Sequence, residues 1–157
     1  MRYKTSMHDS VTVRIGAPPE VIWDLVSDVT NTGRFSPETV AAEWVGGATG
    51  PALGARFRGR VNRNGWGVKY WTTCEIVACE RPTEFAFTVV LGRSRVNTWR
   101  YHLEPTGDGT AVTESFRLED KPWLRAYWAL FGKLRRPTNT EGMRTTLERV
   151  KAAAEAR

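Results

Sequence analysis

Apolar and polar residues alternate with period two through the middle of the chain, and the pattern turns helical at its end. Met143, Leu147, Val150 and Ala154 are spaced four, three and four apart, which makes one apolar face on a helix over roughly 139–156. The strands before it offer a curved sheet for that face to lie against. A sheet wrapped around one helix rarely closes completely, so the arrangement predicts a cavity between them.

The pattern resolves into elements. Val11, Val13 and Ile15 give segment 8–15 one buried side, a first strand. Pro18 and Pro19 suit the opening turn of a helix, where a missing amide costs little, and Val21, Ile22, Leu25 and Val26 supply its buried side as far as Asp28. A second short helical piece covers 29–35, anchored by Val29 and Phe35, before Pro37 stops it. Six strands follow: 40–45, 55–62, 68–78, 84–91, 96–104 and 110–118. Asn64-Gly65 and Gly92-Arg93 are tight reversals and Gly107-Asp108-Gly109 is a loop, so most strands are joined by hairpins and run antiparallel. Beyond them, Pro137 separates a helical segment over 122–134 from the amphipathic closing helix. The prediction is an α+β fold: seven antiparallel strands curved around a long C-terminal helix, with two short helices after the first strand.

Length and composition narrow the class. At 157 residues the chain has the length of one domain, read as 1–157, and seven Trp and six Phe provide bulky core material. No apolar run reaches the roughly eighteen residues needed to cross a bilayer, and the N-terminus leads into polar residues and a strand, so a cytoplasmic protein is expected. Cys74 and Cys79 lie five apart on one strand, which puts them on opposite faces and predicts reduced thiols. The net charge of +6 comes mostly from arginine. Arg56, Arg58 and Arg60 alternate with Phe57, Gly59 and Val61 and form an outer stripe, either a plain solvated face or a weak attraction for anionic surfaces. Nucleic-acid binding would rest on charge alone, because no aromatic residues clearly interleave on a basic face.

Three stretches carry a resemblance over nearly the whole chain. Ala17-Pro18-Pro19-Glu20-Val21-Ile22-Trp23-Asp24-Leu25-Val26-Ser27-Asp28 resembles the first helix of the START-like superfamily, and Gly54-Ala55-Arg56-Phe57 resembles the start of its third strand. Trp99-Arg100-Tyr101-His102-Leu103-Glu104-Pro105 with Gly109-Thr110-Ala111-Val112-Thr113-Glu114 resembles its last hairpin. That superfamily includes polyketide cyclase/dehydrase and plant Bet v 1-type proteins. The resemblance implies the helix-grip fold and a deep, mostly apolar cavity for a hydrophobic small molecule. It does not choose among carriers, sensors, cyclases and hydratases, which share the scaffold.

Alternation proposes the lining independently. The inward set comprises Phe57, Gly59 and Val61; Tyr70, Thr72, Cys74 and Ile76; Phe85, Phe87 and Val89; Asn97, Trp99, Tyr101 and Leu103; and Val112, Glu114 and Phe116. A bulge would exchange faces, and Trp71 is the residue most exposed to that error. Met143 and Leu147 face the cavity from the helix. Most of these are needed as core whether or not anything binds. Thr72, Asn97, Tyr101 and Glu114 are the informative members, since polar groups on inward positions need hydrogen bonds from water or a polar ligand group.

Glu114 matters most. Desolvation raises the pKa of an inward carboxylate, which would let it move a proton near neutral pH or orient a ligand hydroxyl or carbonyl with Tyr101 and Asn97. The alternative is a carboxylate satisfied by an arginine or backbone amides. His8 and His102 are the only histidines, and His102 has outward parity, so no zinc set or activated nucleophile emerges and neither metal nor cofactor is expected. The glycines at 46, 47, 50 and 54 lack the context of a phosphate loop and suggest a plain or gating loop at the cavity mouth.

Segment 122–134 has two apolar stripes, Trp123, Tyr127, Leu130 and Leu134 beside Leu124, Trp128 and Phe131, flanked by Lys121, Arg125, Lys133, Arg135 and Arg136. Its rings Trp123, Tyr127, Trp128 and Phe131 could form a lid, a homodimer contact or a weak contact with an anionic membrane surface. The reading is a binder or carrier of a hydrophobic small molecule, lipid or polyketide-like, without a cofactor. Its rival is a cofactor-independent cyclase or dehydratase using Glu114 and Tyr101 as catalytic groups.

Overall fold

The computed structural model describes residues 8–62 and 69–157, and their side chains except those of 131–136. Seven strands, β1 (His8–Ile15), β2 (Thr39–Val45), β3 (Arg56–Val61), β4 (Tyr70–Glu80), β5 (Glu84–Leu91), β6 (Ser94–Thr106) and β7 (Gly109–Leu118), form one sheet in the order β1-β7-β6-β5-β4-β3-β2. Every neighbouring pair is antiparallel. Because β1 and β2 are consecutive in sequence but occupy opposite edges, the connection between them must cross the sheet. Helix α1 (Pro19–Ser27), a 3-10 turn (Val29–Asn31) and helix α2 (Thr32–Phe35) make that crossing. The Asn64-Gly65 turn and the strand start at Val68 lie outside the described residues.

Local chemistry explains these elements. β1 and β3 bury every second residue, as alternation requires of a half-covered sheet. Pro19 opens α1, and Ile22, Trp23 and Leu25 form its buried side. Trp23 Nε1 donates to the Glu84 carbonyl at 2.8 Å, and its ring meets Phe85 edge-on at 6.3 Å, fastening α1 to β5. Asp28 caps the 3-10 turn by accepting from the Thr30 amide at 3.1 Å.

The end of the chain corrects one expectation. A single helix, α3 (Pro122–Glu155), runs through Pro137 rather than breaking there. An interior proline costs about 3 kcal/mol, but tertiary burial outweighs it here. Leu124 and Trp128 are buried before the proline, and Asn139, Met143, Leu147, Val150 and Ala154 after it. Both halves are therefore held against the sheet, and neither can swing away without exposing large side chains.

A second correction concerns the cysteines. The β4 ladder has a bulge between Ile76 and Ala78, so Cys79 pairs with Phe85 while Cys74 pairs with Val89. Phe85 and Val89 share a face by parity, and the two thiols therefore lie on the same inner side. Both are free. Trp71 escapes the bulge and keeps the outer face, with the Arg58 guanidinium carbon 4.3 Å from its ring centroid. Arg58 also pairs with Glu43 and Arg56 with Glu75, so the outer arginine stripe is largely engaged in exposed ion pairs.

Candidate functional site

Between sheet and α3 lies a cavity of about 540 Å³. Parity on four strands places its apolar wall: Phe57 and Val61 from β3, Cys74 from β4, Phe87 and Val89 from β5, Trp99 from β6. Phe57 and Phe87 meet edge-on at 5.1 Å, giving that wall a fixed shape. Gly59 lines the same wall without a side chain, and a Cβ there would approach Thr39 Cγ2 to 3.3 Å. Tyr70 and Leu91 are exposed and lie at the rim, whereas Tyr101, Glu114 and Met143 are buried and lie deep.

Of the residues proposed from the sequence, Phe57, Gly59, Tyr70, Thr72, Cys74, Phe87, Asn97, Trp99, Tyr101, Glu114 and Met143 line the cavity. Phe85 and Leu147 do not. Both have the inward parity, but Phe85 is packed against Trp23 and Leu147 is wholly buried in the core. The 46–54 glycine loop also contributes nothing to the lining; Gly46, Gly47 and Gly54 have φ of 64°, 83° and 83° and serve turns.

No described side chain of 122–130 lines the cavity. Trp128 is buried with its ring 5.9 Å from that of Phe116, Tyr127 is half-buried and Trp123 is exposed. Through Trp128 the segment packs on Phe116 of β7, and the Phe131 side chain lies outside the described residues. Among the described residues no helix is long and apolar enough to cross a membrane.

Besides Val90, Leu91, Gly92 and Val96 around the β5–β6 turn, two groups of lining residues escaped sequence reasoning. One is the crossing segment, with Leu25, Val29, Phe35 and Pro37. The other is the middle of α3, with Asn139, Gly142 and Thr146. Their three-and-four spacing beside the Met143 stripe was a usable signal, a strip of small and polar residues next to an apolar one.

The polar residues set the chemistry. Register places Tyr101 directly opposite Glu114, and the phenol is a hydrogen-bonding neighbour of the carboxyl. Burial pushes the Glu114 carboxyl up to about 8, against a smaller lowering by Tyr101. Burial, with the Glu114 carboxyl beside it, likewise holds the Tyr101 phenol well above its ordinary value. Glu114 is therefore mostly protonated at neutral pH. Its Oε1 and the Oδ1 of Asn97 are buried without a hydrogen-bond partner among the described residues. Among the same residues no three His, Cys, Asp or Glu side chains group as metal ligands, and His102 points outward, 2.5 Å from Glu84 Oε1.

Cys74 is the buried thiol of the apolar wall. Burial pushes its thiol up to about 12, so almost no thiolate is present at pH 8. Iodoacetamide at that pH should leave Cys74 unmodified in the folded protein and alkylate it after denaturation. Peptide mapping by mass spectrometry checks this, and rapid labelling of native Cys74 would contradict it.

With the geometry in place, comparison with known proteins gives the family. The family described as polyketide cyclase / dehydrase and lipid transport matches residues 7–155. The chain belongs to this family. The polyketide-cyclase-like protein of Corynebacterium glutamicum is 29% identical, with 95% of this chain and 91% of that one covered and a TM-score of 0.64. A Thermus thermophilus protein shares 20% identity over 95% and 97% of the two chains, with a TM-score of 0.72. The di-domain ARO/CYC protein of the steffimycin biosynthetic pathway is 13% identical with a TM-score of 0.74; the match covers 99% of this chain and 53% of that one. The last two show the fold alone. A search of the curated proteins found no match. Membership of the polyketide cyclase / dehydrase and lipid transport family agrees with the START-like resemblance in the sequence.

Proposed function

We propose that the chain binds a hydrophobic small molecule, lipid or polyketide-like, in the cavity between the sheet and α3. The observation that carries this reading is the cavity itself: about 540 Å³, walled by Phe57, Phe87 and Trp99, with a few polar groups deep inside. The site ligands would touch includes the crossing segment and the middle of α3 as well as the strands.

A neutral fluorescent probe such as N-phenyl-1-naphthylamine tests it. The wild-type protein should bind the probe, and Gly59→Leu, which projects a branched side chain into the space, should weaken binding about tenfold or more. Absence of binding to the folded wild-type protein, or binding indifferent to Gly59→Leu, would overturn the reading.

The raised Glu114 carboxyl beside Tyr101 favours one second reading, proton transfer on the bound molecule in a cyclase- or dehydratase-type reaction. Native mass spectrometry of protein purified from its host, followed by extraction, separates the two. An unmodified lipid favours carriage. A chemically converted product favours catalysis.

A further inference from the structure

Among the described residues lining the cavity, two carry a buried side-chain oxygen without a hydrogen-bond partner, Asn97 and Glu114, and they are well separated. Asn97 lies opposite Leu118 and Tyr101 opposite Glu114 on the β6–β7 ladder, so the Asn97 and Glu114 positions stand four residues apart along it. At 3.3–3.4 Å per residue that is about 13 Å between backbone positions, with the apolar ring of Trp99 between them on the same face. No single hydroxyl bridges this span. Asn97 and Glu114 are 6% and 5% exposed, both line the cavity, and each presents an oxygen with no hydrogen-bond partner among the described residues.

We propose that the cavity selects neutral, elongated apolar molecules bearing a hydroxyl group at each of two ends, one end docking on Asn97 and the other on Glu114. This rests on the reading of the cavity as a small-molecule site and names the class of molecule it takes. Asn97 Oδ1 accepts and needs a donor. A ketone or ether cannot supply one and leaves that oxygen buried and unsatisfied. A hydroxyl both donates and accepts, so it also serves the carboxyl of Glu114 in either protonation state.

Anionic ends fare badly for a separate reason. The described residues lining the cavity include Asp28, Glu38 and Glu114 and no Lys, Arg or His. A carboxylate entering such a wall would lose its hydration without gaining a counter-charge.

A matched stilbene series tests the proposal by fluorescence or calorimetric titration of the whole chain. The expected order of affinity is 4,4′-dihydroxystilbene, then 4-hydroxystilbene, then stilbene, each hydroxyl contributing about threefold to tenfold, with 4,4′-stilbenedicarboxylate weakest. Asn97→Leu should reduce the ratio of dihydroxy to monohydroxy affinity toward one. Equal binding of stilbene and its diol, or tighter binding of the dicarboxylate, overturns the selection. Because those comparisons use the wild-type protein, they stand even if Asn97→Leu does not fold. If the naphthylamine probe binds and no stilbene does, this inference falls while the cavity reading stands. If neither binds, both fall.

Discussion

At pH 9 the Glu114→Gln variant should be more stable than the wild-type chain by roughly 3–5 kcal/mol, and below about pH 4.5 the two should nearly coincide. The sign follows from the raised carboxyl. In the folded state Glu114 holds its proton up to about pH 8, whereas its ordinary value is 4.5. Between those values the folded chain binds one more proton than the unfolded chain, so stability falls with rising pH by about 1.4 kcal/mol per unit. The contribution is fully present below the unfolded value and is lost as the pH passes the folded one.

Glutamine keeps the shape of the protonated side chain and carries no charge at any pH, so that slope should vanish. Other groups do titrate: His102 is raised by its hydrogen bond to Glu84, while Asp24 and Asp108 are lowered by Arg81 and Arg14. These are common to both proteins and cancel in the difference. Urea denaturation across pH 4–9 measures it, and parallel curves for the two proteins would show that Glu114 is not held protonated.

The same carboxyl shows what was legible in the sequence. Its burial followed from parity on β7, where Val112, Glu114 and Phe116 alternate with half-exposed residues, and parity on β6 likewise set Tyr101 and Trp99 on the inner face. Period-two alternation is a local property, so it survives without knowledge of the rest of the fold. It reports the face of a residue, however, and not its depth along a tapering space. Parity therefore gives Phe85 and Leu147 the correct side, but both belong to the filled part of the core. Cys79 changed sides through a bulge that no residue type announces. The crossing segment reads as two short helices, as observed, but assigning its wall residues Leu25, Val29 and Phe35 to the cavity requires the sheet edges that it joins. Pro137 shows the complementary failure, a strong local signal overruled by burial on both sides.

Gly33→Ala should destabilise the protein by about 2–4 kcal/mol, against the local preference of its own helix. Helix propensity alone favours alanine over glycine by about 1 kcal/mol, so a purely local argument predicts the opposite sign. The structure decides against it. A Cβ on Gly33 would fall 2.4 Å from the Val40 carbonyl oxygen and 3.0 Å from its carbon. These are backbone atoms at the bulged start of β2, where the register shifts between Thr39 and Ala41, and the β2–β3 ladder pairs the residues before and after Val40, Thr39 with Val61 and Ala41 with Arg60. Relief therefore requires α2 to move off the sheet. That helix carries Thr32 and Phe35 into the cavity wall, so its displacement should also weaken binding of the naphthylamine probe several-fold. Gly107→Ala is the control, because a Cβ there meets nothing within 4 Å, and it should stay within about 0.5 kcal/mol of wild type. Urea midpoints and probe titrations on the three proteins read both effects. A Gly33→Ala chain as stable as wild type would mean that α2 is not clamped against β2, and that the wall of the cavity on that side is not built by this contact.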